Sequence, residues 1–472
     1  MIDKITNEIK KRTGNAPDIK YKSFPISNKK IMLIYSNSVS SSESINDFIL
    51  RRLDEDKNNL YKKDLFSYFK YYVPNNSMSE VKAVKDAIYF ILNGFTIVVF
   101  DDNNVMLAFE NKAKIHSDVA RSENEKSLKG PSDSFTENYE TNTGMIRRRI
   151  KSESLWFKEA VVGSESKTRV ALFYMNGIAD EKLVNGIYKN IKRINIKYTG
   201  NINYVLDAIS NQNRGIFPTN ITTERADYAT QLLMEGRIVL MCENSNQVIV
   251  LPCLFLDFFK DPDDYYEKDL NVIASRIIRV IAMSLALLTP AIYISLMAYN
   301  LEAIPSKLLI NFTVQRDGVP FSSIFEVVAM SLMFQILRES DMRYPGKGSS
   351  SISIVGGLVL GQAAVEAGVV SPITIIIVGI SSVASLAFSS IEIVNSIRWW
   401  QLILICLAAI FGFTGVMFGV LIILAMLVSQ TSYGKAYFSP FEPFNRKKQK
   451  DAVLSSSKAR LNPLNIFSKE DK

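Results

Sequence analysis

The chain has 472 residues, 47% of them apolar and 22% charged, with a mean hydropathy of +0.08, a formal net charge of +8 and a pI near 9.0. That hydropathy averages two unlike parts: residues 1–275 hold most of the charge and residues 277–428 hold long apolar runs, which excludes a wholly soluble single-domain protein. Three cysteines (Cys242, Cys253, Cys406) without zinc spacing, and one histidine (His116), exclude a disulfide framework, a His-rich metal site and most triad chemistry.

Residues 1–22 are polar and contain no apolar core of about 7–15 residues, so no signal peptide is expected, and the reading is a flexible N-terminus that stays on the side where it is made. From Ile31 to Tyr35 an apolar run predicts a buried strand. A serine-rich turn from Ser36 to Ser42 follows, then a helix with Ile45, Phe48, Ile49 and Leu53 on one face. The order returns at Val170–Tyr174 (strand), Asn176-Gly177 (turn) and Leu183, Ile187 and Ile191 (helix face). Asn93-Gly94 precedes a strand at 95–100, a polar turn and Val105–Leu107. Its counterpart is Glu235-Gly236, a strand at 238–241, a polar turn and Val248–Leu251. Two related α/β units in series are expected, 23–145 with its linker and 146–270. Neither carries a glycine-rich phosphate loop or a paired-carboxylate signature, so both read as binding or assembly modules.

Beyond residue 270 a helical membrane domain is expected to residue 430, followed by a basic tail, 431–472. The expected spans are 277–299, 352–369, 371–388 and 401–428; the first and last are long enough for about 30 Å of hydrocarbon, and 352–388 has the length of a helical hairpin. Residues 319–337, opened by Pro320 and carrying Glu326, read as an interfacial or re-entrant helix. In the alternative, 319–337 spans and 352–388 crosses once. From residue 429 on, nine Lys or Arg stand against four Asp or Glu, and this excess favours an even count of spans with both termini cytoplasmic. Pro290 predicts a kink in the first span. Gly357, Gly361, Ala364 and Gly368 recur at helical spacing as a face for close packing. Gln362 and Glu366, one turn apart, share another face. A membrane carboxylate there, like Glu326 with Arg338 and Arg343 as its expected partners, marks a polar path or a helix end near the headgroups.

A string of motifs carries a family resemblance. It begins with Gly130-Pro131, Phe135-Thr136-Glu137, Thr141-Asn142-Thr143 and Ile146 to Ile150. It continues through Phe217-Pro218, Thr223-Glu224-Arg225, Leu233–Gly236 and Asp264-Tyr265-Tyr266. The densest stretch is Val319-Pro320-Phe321, Glu326, Leu337-Arg338-Glu339, Arg343, Pro345, Ser353–Gly356 and Gly361–Val365. Ser439-Pro440 and Pro443-Phe444 close it. Over roughly residues 110–445 the chain resembles the A subunit of spore germinant receptors of the GerA family. Departures are Ser132 and Ser134 for the usual Arg and Gly, Ala226 and Ser322 for Pro, and Lys435-Ala436 for an apolar-Pro pair.

The resemblance implies a receptor subunit without enzymatic activity or cofactor, in the inner membrane of the spore. Its implied partners are a transporter-like B subunit, a lipoprotein C subunit and further A subunits forming a ligand-gated ion conduit, with no nucleic acid. In that setting Gln362 and Glu366 would line or gate the conduit, with Val365 as an apolar constriction. Arg147, Arg148 and Arg149 would link the two soluble units and pair with carboxylates of a neighbouring subunit. Two rivals stay open: a secondary transporter with substrate at a broken hairpin in 352–388, and a membrane-tethered scaffold using the basic tail.

Overall fold

A computed structural model describes residues 1–26, 29–51, 64–73, 77–113, 125, 127–209, 215–341 and 349–442. Among these the chain divides into two compact units, one built from 1–209 and 220–252, the other from 215–219 and 253–442.

The first unit is built on two five-stranded antiparallel sheets. Its elements run α1 (Ile2–Arg12), β1 (Ile19–Ile26), β2 (Lys29–Ser36), α2 (Ser42–Ile45, continuing as one π turn), α3 (Leu65–Tyr72), β3 (Met78–Val81), α4 (Val84–Leu92), β4 (Phe95–Phe100) and β5 (Met106–Glu110). They continue as α5 (Tyr139–Arg149), β6 (Leu155–Val162), β7 (Thr168–Met175), α6 (Glu181–Lys192), α7 (Ile202–Ile209), β8 (Ile221–Thr223), α8 (Ala226–Met234), β9 (Ile238–Cys242) and β10 (Val248–Leu251). Strand order is β1-β2-β4-β5-β3 in one sheet and β6-β7-β9-β10-β8 in the other. The repeat read from the sequence extends to residue register. Ile31 pairs with Phe100 while Val170 pairs with Cys242, and Glu80 pairs with Leu107 while Thr222 pairs with Ile249. The central strands β4 and β9 are buried along their whole length, so they read as continuous apolar runs rather than alternating ones. Gly94 and Gly236 enter those strands at φ +83° and +89°, a left-handed conformation in which L side chains are strained. The two glycine turns matched in sequence thus share one backbone conformation.

The N-terminus departs from expectation. Residues 2–12 form an amphipathic helix with Ile2, Ile5 and Ile9 buried, and residues 19–26 pair along the whole of β2. Polar composition hid three isoleucines at helical spacing. In the π turn after α2, Ile49 is buried beside Leu65, Phe69 and Phe109. Leu53 lies outside the described residues.

The second unit is helical: α9 (Asp269–Tyr299), α10 (Ser306–Arg316), α11 (Ser323–Asp341), α12 (Ser349–Glu366), α13 (Pro372–Ser385) and α14 (Ile391–Ser429). By length and composition, α9 and α14 suit a bilayer crossing, and α13 is a shorter apolar helix. The expected start of the first span needs correction. Arg279 lies inside 277–299 and donates to both oxygens of Asp264 (2.9 and 3.1 Å) and to Phe259 O (2.9 Å), so the apolar run of α9 begins at Val280. Pro290 sits inside α9 and is buried.

The expected single span at 401–428 is two antiparallel arms. Gly412 has φ 61° and ψ −141°, far from helical values. A Cβ on Gly415 would overlap Leu407 O, and one on Gly419 would overlap Leu404 Cδ2. A continuous helix would hold those pairs about 12 and 22 Å apart. The arms 391–411 and 413–429 therefore fold back on each other, with small residues allowing the close approach. Tyr299 OH caps the reversal by donating to Ala409 O at 2.5 Å.

The other helices alternate in direction. Tyr293 OH lies 3.2 Å from Thr374 Oγ1, and Ser381 Oγ donates to Ala286 O at 2.8 Å, so α13 runs against α9. Gly356 and Gly357 lie against Leu337 and Phe334, while Glu326 meets Ser371, so α12 runs against α11. The stretch 319–337, expected to be interfacial, mostly falls within α11, which packs in this alternating set. Helix α10 buries none of its residues.

Candidate functional site

The polar residues that the sequence singled out in the helical unit fall in two places. In the first, Glu326 in the first turn of α11 is 1% exposed. Its Oε2 accepts hydrogen bonds from Ser371 N (2.8 Å), Ser371 Oγ (2.7 Å) and Thr374 Oγ1 (2.9 Å), the opening residues of α13. Its Oε1 lies 3.6 Å from Arg316 Nε at the end of α10. A buried carboxylate survives only when paired and hydrogen-bonded, and here the charge comes from Arg316. Neither expected partner fills that place. Arg338 stands twelve positions along the same helix, about 18 Å away at helical rise, and Arg343 lies outside the described residues. Sequence reading missed Arg316, Ser371 and Thr374. Ser371-Pro372 is visible as a helix start, but nothing local marks its hydroxyl as a carboxylate ligand.

The second place is α12. Gly357 packs on Phe334 and Leu337, and Gly361 on Ile375. Ala364 and Val365 are half-buried. Gly368 leaves the helical face: the helix ends at Glu366, and Gly368 turns the chain at φ +64°. Gln362 and Glu366 are exposed, and Gln362 Nε2 donates to Glu366 Oε1 at 3.0 Å.

The arginine run belongs to the sheet unit and works inside the chain. Arg147 is fully buried; its Nε and Nη2 donate to Asp18, its Nη1 donates to Leu155 O, and its guanidinium stacks on Phe157. Arg149 pairs with Asp133 at 2.5 Å, and Arg148 is exposed. Pairing of Arg147 with a neighbouring subunit is thus corrected, because no part of it reaches the surface. Beside this pair is a small cleft of about 70 Å³, lined by Asp18, Lys20, Tyr139, Glu140, Glu159 and Arg169. Arg169 bonds Glu243 and Glu140, and its guanidinium holds the Glu243 carboxyl below the usual carboxylate range. Among the described residues no group of three or more His, Cys, Asp or Glu is placed to hold a metal ion. His116 lies outside them.

Paired antiparallel sheets followed by apolar helices that bury a carboxylate among hydroxyls define a protein with a sheet-built part and a helical part, two of whose helices are long and apolar enough to cross a bilayer. The family model described as "Bacillus/Clostridium GerA spore germination protein" matches residues 7–463, and the chain belongs to that family. It is 31% identical to spore germination protein KA of Bacillus subtilis over 450 residues, covering 95% of this chain and 83% of that one. It is 31% identical to the uncharacterized membrane protein YfkQ of the same organism (94% and 86% covered) and 30% identical to GerQA of Bacillus cereus (83% and 78%). The crystal structure of the N-terminal domain of the A subunit of the Bacillus megaterium germinant receptor GerK3 aligns at 27% identity and a TM-score of 0.42, covering 53% of this chain and 94% of that domain.

Proposed function

We propose that the chain is the A subunit of a multi-subunit nutrient germinant receptor, a multi-pass protein of the spore inner membrane in which several copies meet around an ion conduit. Membership of the GerA family supports the receptor role, and with it a transporter-like B subunit and a lipoprotein C subunit as partners. The conduit rests on one observation. Gln362 and Glu366 bond each other on an exposed surface of α12, while Gly357 and Gly361 of the same helix contact neighbouring helices. A carboxylate turned to lipid costs a few kcal/mol at mid-membrane, and water or a second copy removes that cost. Val365, between the two polar side chains, supplies an apolar constriction.

Both chain ends are proposed to lie on the core side, with the two α/β units at 23–145 and 146–270 kept there. The alternating helices and the reversal at Gly412 support an even number of crossings. An impermeant cysteine reagent should fail to label Asn201→Cys and Ser455→Cys from outside, and labelling of either sinks this topology.

Monovalent-cation release from spores is the test of the conduit. Glu366→Gln should leave the receptor assembled and alter release after nutrient addition, whereas Gly361→Leu should block helix packing and abolish assembly. Normal release kinetics in both Glu366→Gln and Gln362→Ala spores would defeat the conduit.

A further inference from the structure

The first arm of α14 borders a cleft of about 490 Å³ that no part of the proposed conduit uses. Glu392, Asn395, Ser396, Trp399 and Ile403 line it from the helix, with Ile216 and Pro218 opposite. Glu392, Asn395, Trp399 and Ile403 share one helical face and climb about 16 Å along it. The character changes in order: carboxylate, amide, indole, aliphatic. Such a gradient matches a lipid standing beside the helix, its headgroup at Glu392 and its acyl chains from Ile403 onward.

Two observations place this cleft at headgroup depth. The apolar run of the arm begins at Leu402, just beyond Trp399, which is 63% exposed; indole rings concentrate at that boundary. The opposite wall is fixed, since Ser396 Oγ donates to Ile216 O at 2.6 Å and Trp400 stacks on Phe217.

The one charged side chain of the lining has capacity left. Among the described residues the Glu392 carboxylate accepts one hydrogen bond, from Ser390 Oγ at 2.7 Å. Arg398, outside the lining, donates from Nη1 to Asn395 Oδ1 at 3.4 Å and so steadies that wall. Arg338 and Glu339 are the other charges acting on Arg398. A carboxylate beside an indole face is the chemistry that holds an alkylammonium.

We propose that this cleft binds the ammonium headgroup of an aminophospholipid, held between Glu392 and Trp399. The proposal requires the helical unit to lie in a bilayer but is independent of ion conduction. The test uses the full chain with Trp156→Phe and Trp400→Phe, leaving Trp399 as the sole tryptophan, in phosphatidylglycerol vesicles doped with acyl-brominated lipid. Brominated phosphatidylethanolamine should half-quench Trp399 at roughly a tenfold lower mole fraction than brominated phosphatidylglycerol, the size of one charge-assisted hydrogen bond. Glu392→Gln should erase that preference. Equal quenching by the two lipids, or a preference that survives Glu392→Gln, overturns the site. Displacement by free phosphoethanolamine at concentrations matching the lipid overturns the lipid as occupant. No quenching by either lipid overturns the membrane placement, and the site with it. Should the double-tryptophan variant fail to fold, native mass spectrometry of the unmodified chain and of Glu392→Gln from mixed micelles reads the same preference as retained phosphatidylethanolamine.

Discussion

Arg147 and Asp18 stand 129 positions apart and meet in the interior of the sheet unit, Nε and Nη2 of the arginine each 3.1 Å from a different carboxylate oxygen. Ser36 and Ser38 add their hydroxyls to the same carboxylate at 2.9 and 3.1 Å. The pair ties the segment entering β1 to helix α5, and so joins the first sheet to the second. Arg147→Met leaves Asp18 buried without a counter-charge and should cost roughly 3–5 kcal/mol of stability. Denaturant unfolding of the full chain in detergent, followed at Trp156, measures it. The double change Arg147→Met, Asp18→Ala should lose clearly less than the sum of the two single changes.

Acid should loosen the sheet unit through Glu243. Arg169 Nη2 lies 2.7 Å from Glu243 Oε1 and lowers that carboxyl from its ordinary 4.5. A carboxyl depressed in the folded state adds stability above its unfolded pKa, and that stability fades as pH falls through the folded value. The window therefore lies below 4.5. Glu243→Gln should flatten the acid limb of a Tm-against-pH curve and leave its neutral plateau nearly level. The effect should be small, because both partners are about a third exposed.

The reversal at Gly412 predicts a cross-link. With the native cysteines replaced, Leu404→Cys and Gly419→Cys should form a disulfide under mild oxidation, seen as faster migration on a non-reducing gel. A continuous helix would hold these positions about 22 Å apart and forbid the bond. Gly412→Ala should also lower the Tm, since that φ and ψ are open to glycine alone at an expected cost of about 1–3 kcal/mol.

Removing the carboxylate of Glu326 should destabilise the helical unit. Glu326→Ala deprives Ser371 N, Ser371 Oγ and Thr374 Oγ1 of their acceptor and Arg316 of its counter-charge, a loss of about 3–5 kcal/mol by analogy with other buried pairs. Glu326→Gln keeps an accepting oxygen and should fall between wild type and alanine. A melting series in detergent orders the three, and a Gln variant no more stable than the Ala variant would count against the hydrogen-bonded role.

The sheet unit was legible wherever its signal is local. The strands at 31–35, 95–100, 170–174 and 238–241 are short apolar runs bounded by turn residues, and their repeated order carried the duplication, while the shared register came from the pairing. What escaped is non-local or averaged away. Asp18 gives no sign in sequence that its partner lies in α5. Glu326 seemed to belong with Arg338 and Arg343 because they follow it in the chain, yet the turn at 317–322 brings Arg316 back to it. Hydropathy read 401–428 as one span because a window average carries no direction: Gly412 is as small and apolar as Gly415 and Gly419, and only its backbone angles reverse the path. The small-residue face of α12 was legible through Gly361, and Gly368 was not, since a residue one step past a helix end keeps the spacing while losing the geometry.

The segment 215–219 is held in the helical unit by residues synthesised long after it. Gln430 Nε2 donates to Phe217 O, Ser432 Oγ to Thr219 O and Tyr437 OH to Pro218 O, at separations of 213, 213 and 219 positions. Nothing made before Gln430 supplies those three donors, so these bonds form only after the last helical arm has been made. A chain that stops after residue 429 keeps the Ser396 and Trp400 contacts to this segment and lacks these three bonds, so its last fastening waits for the C-terminal end.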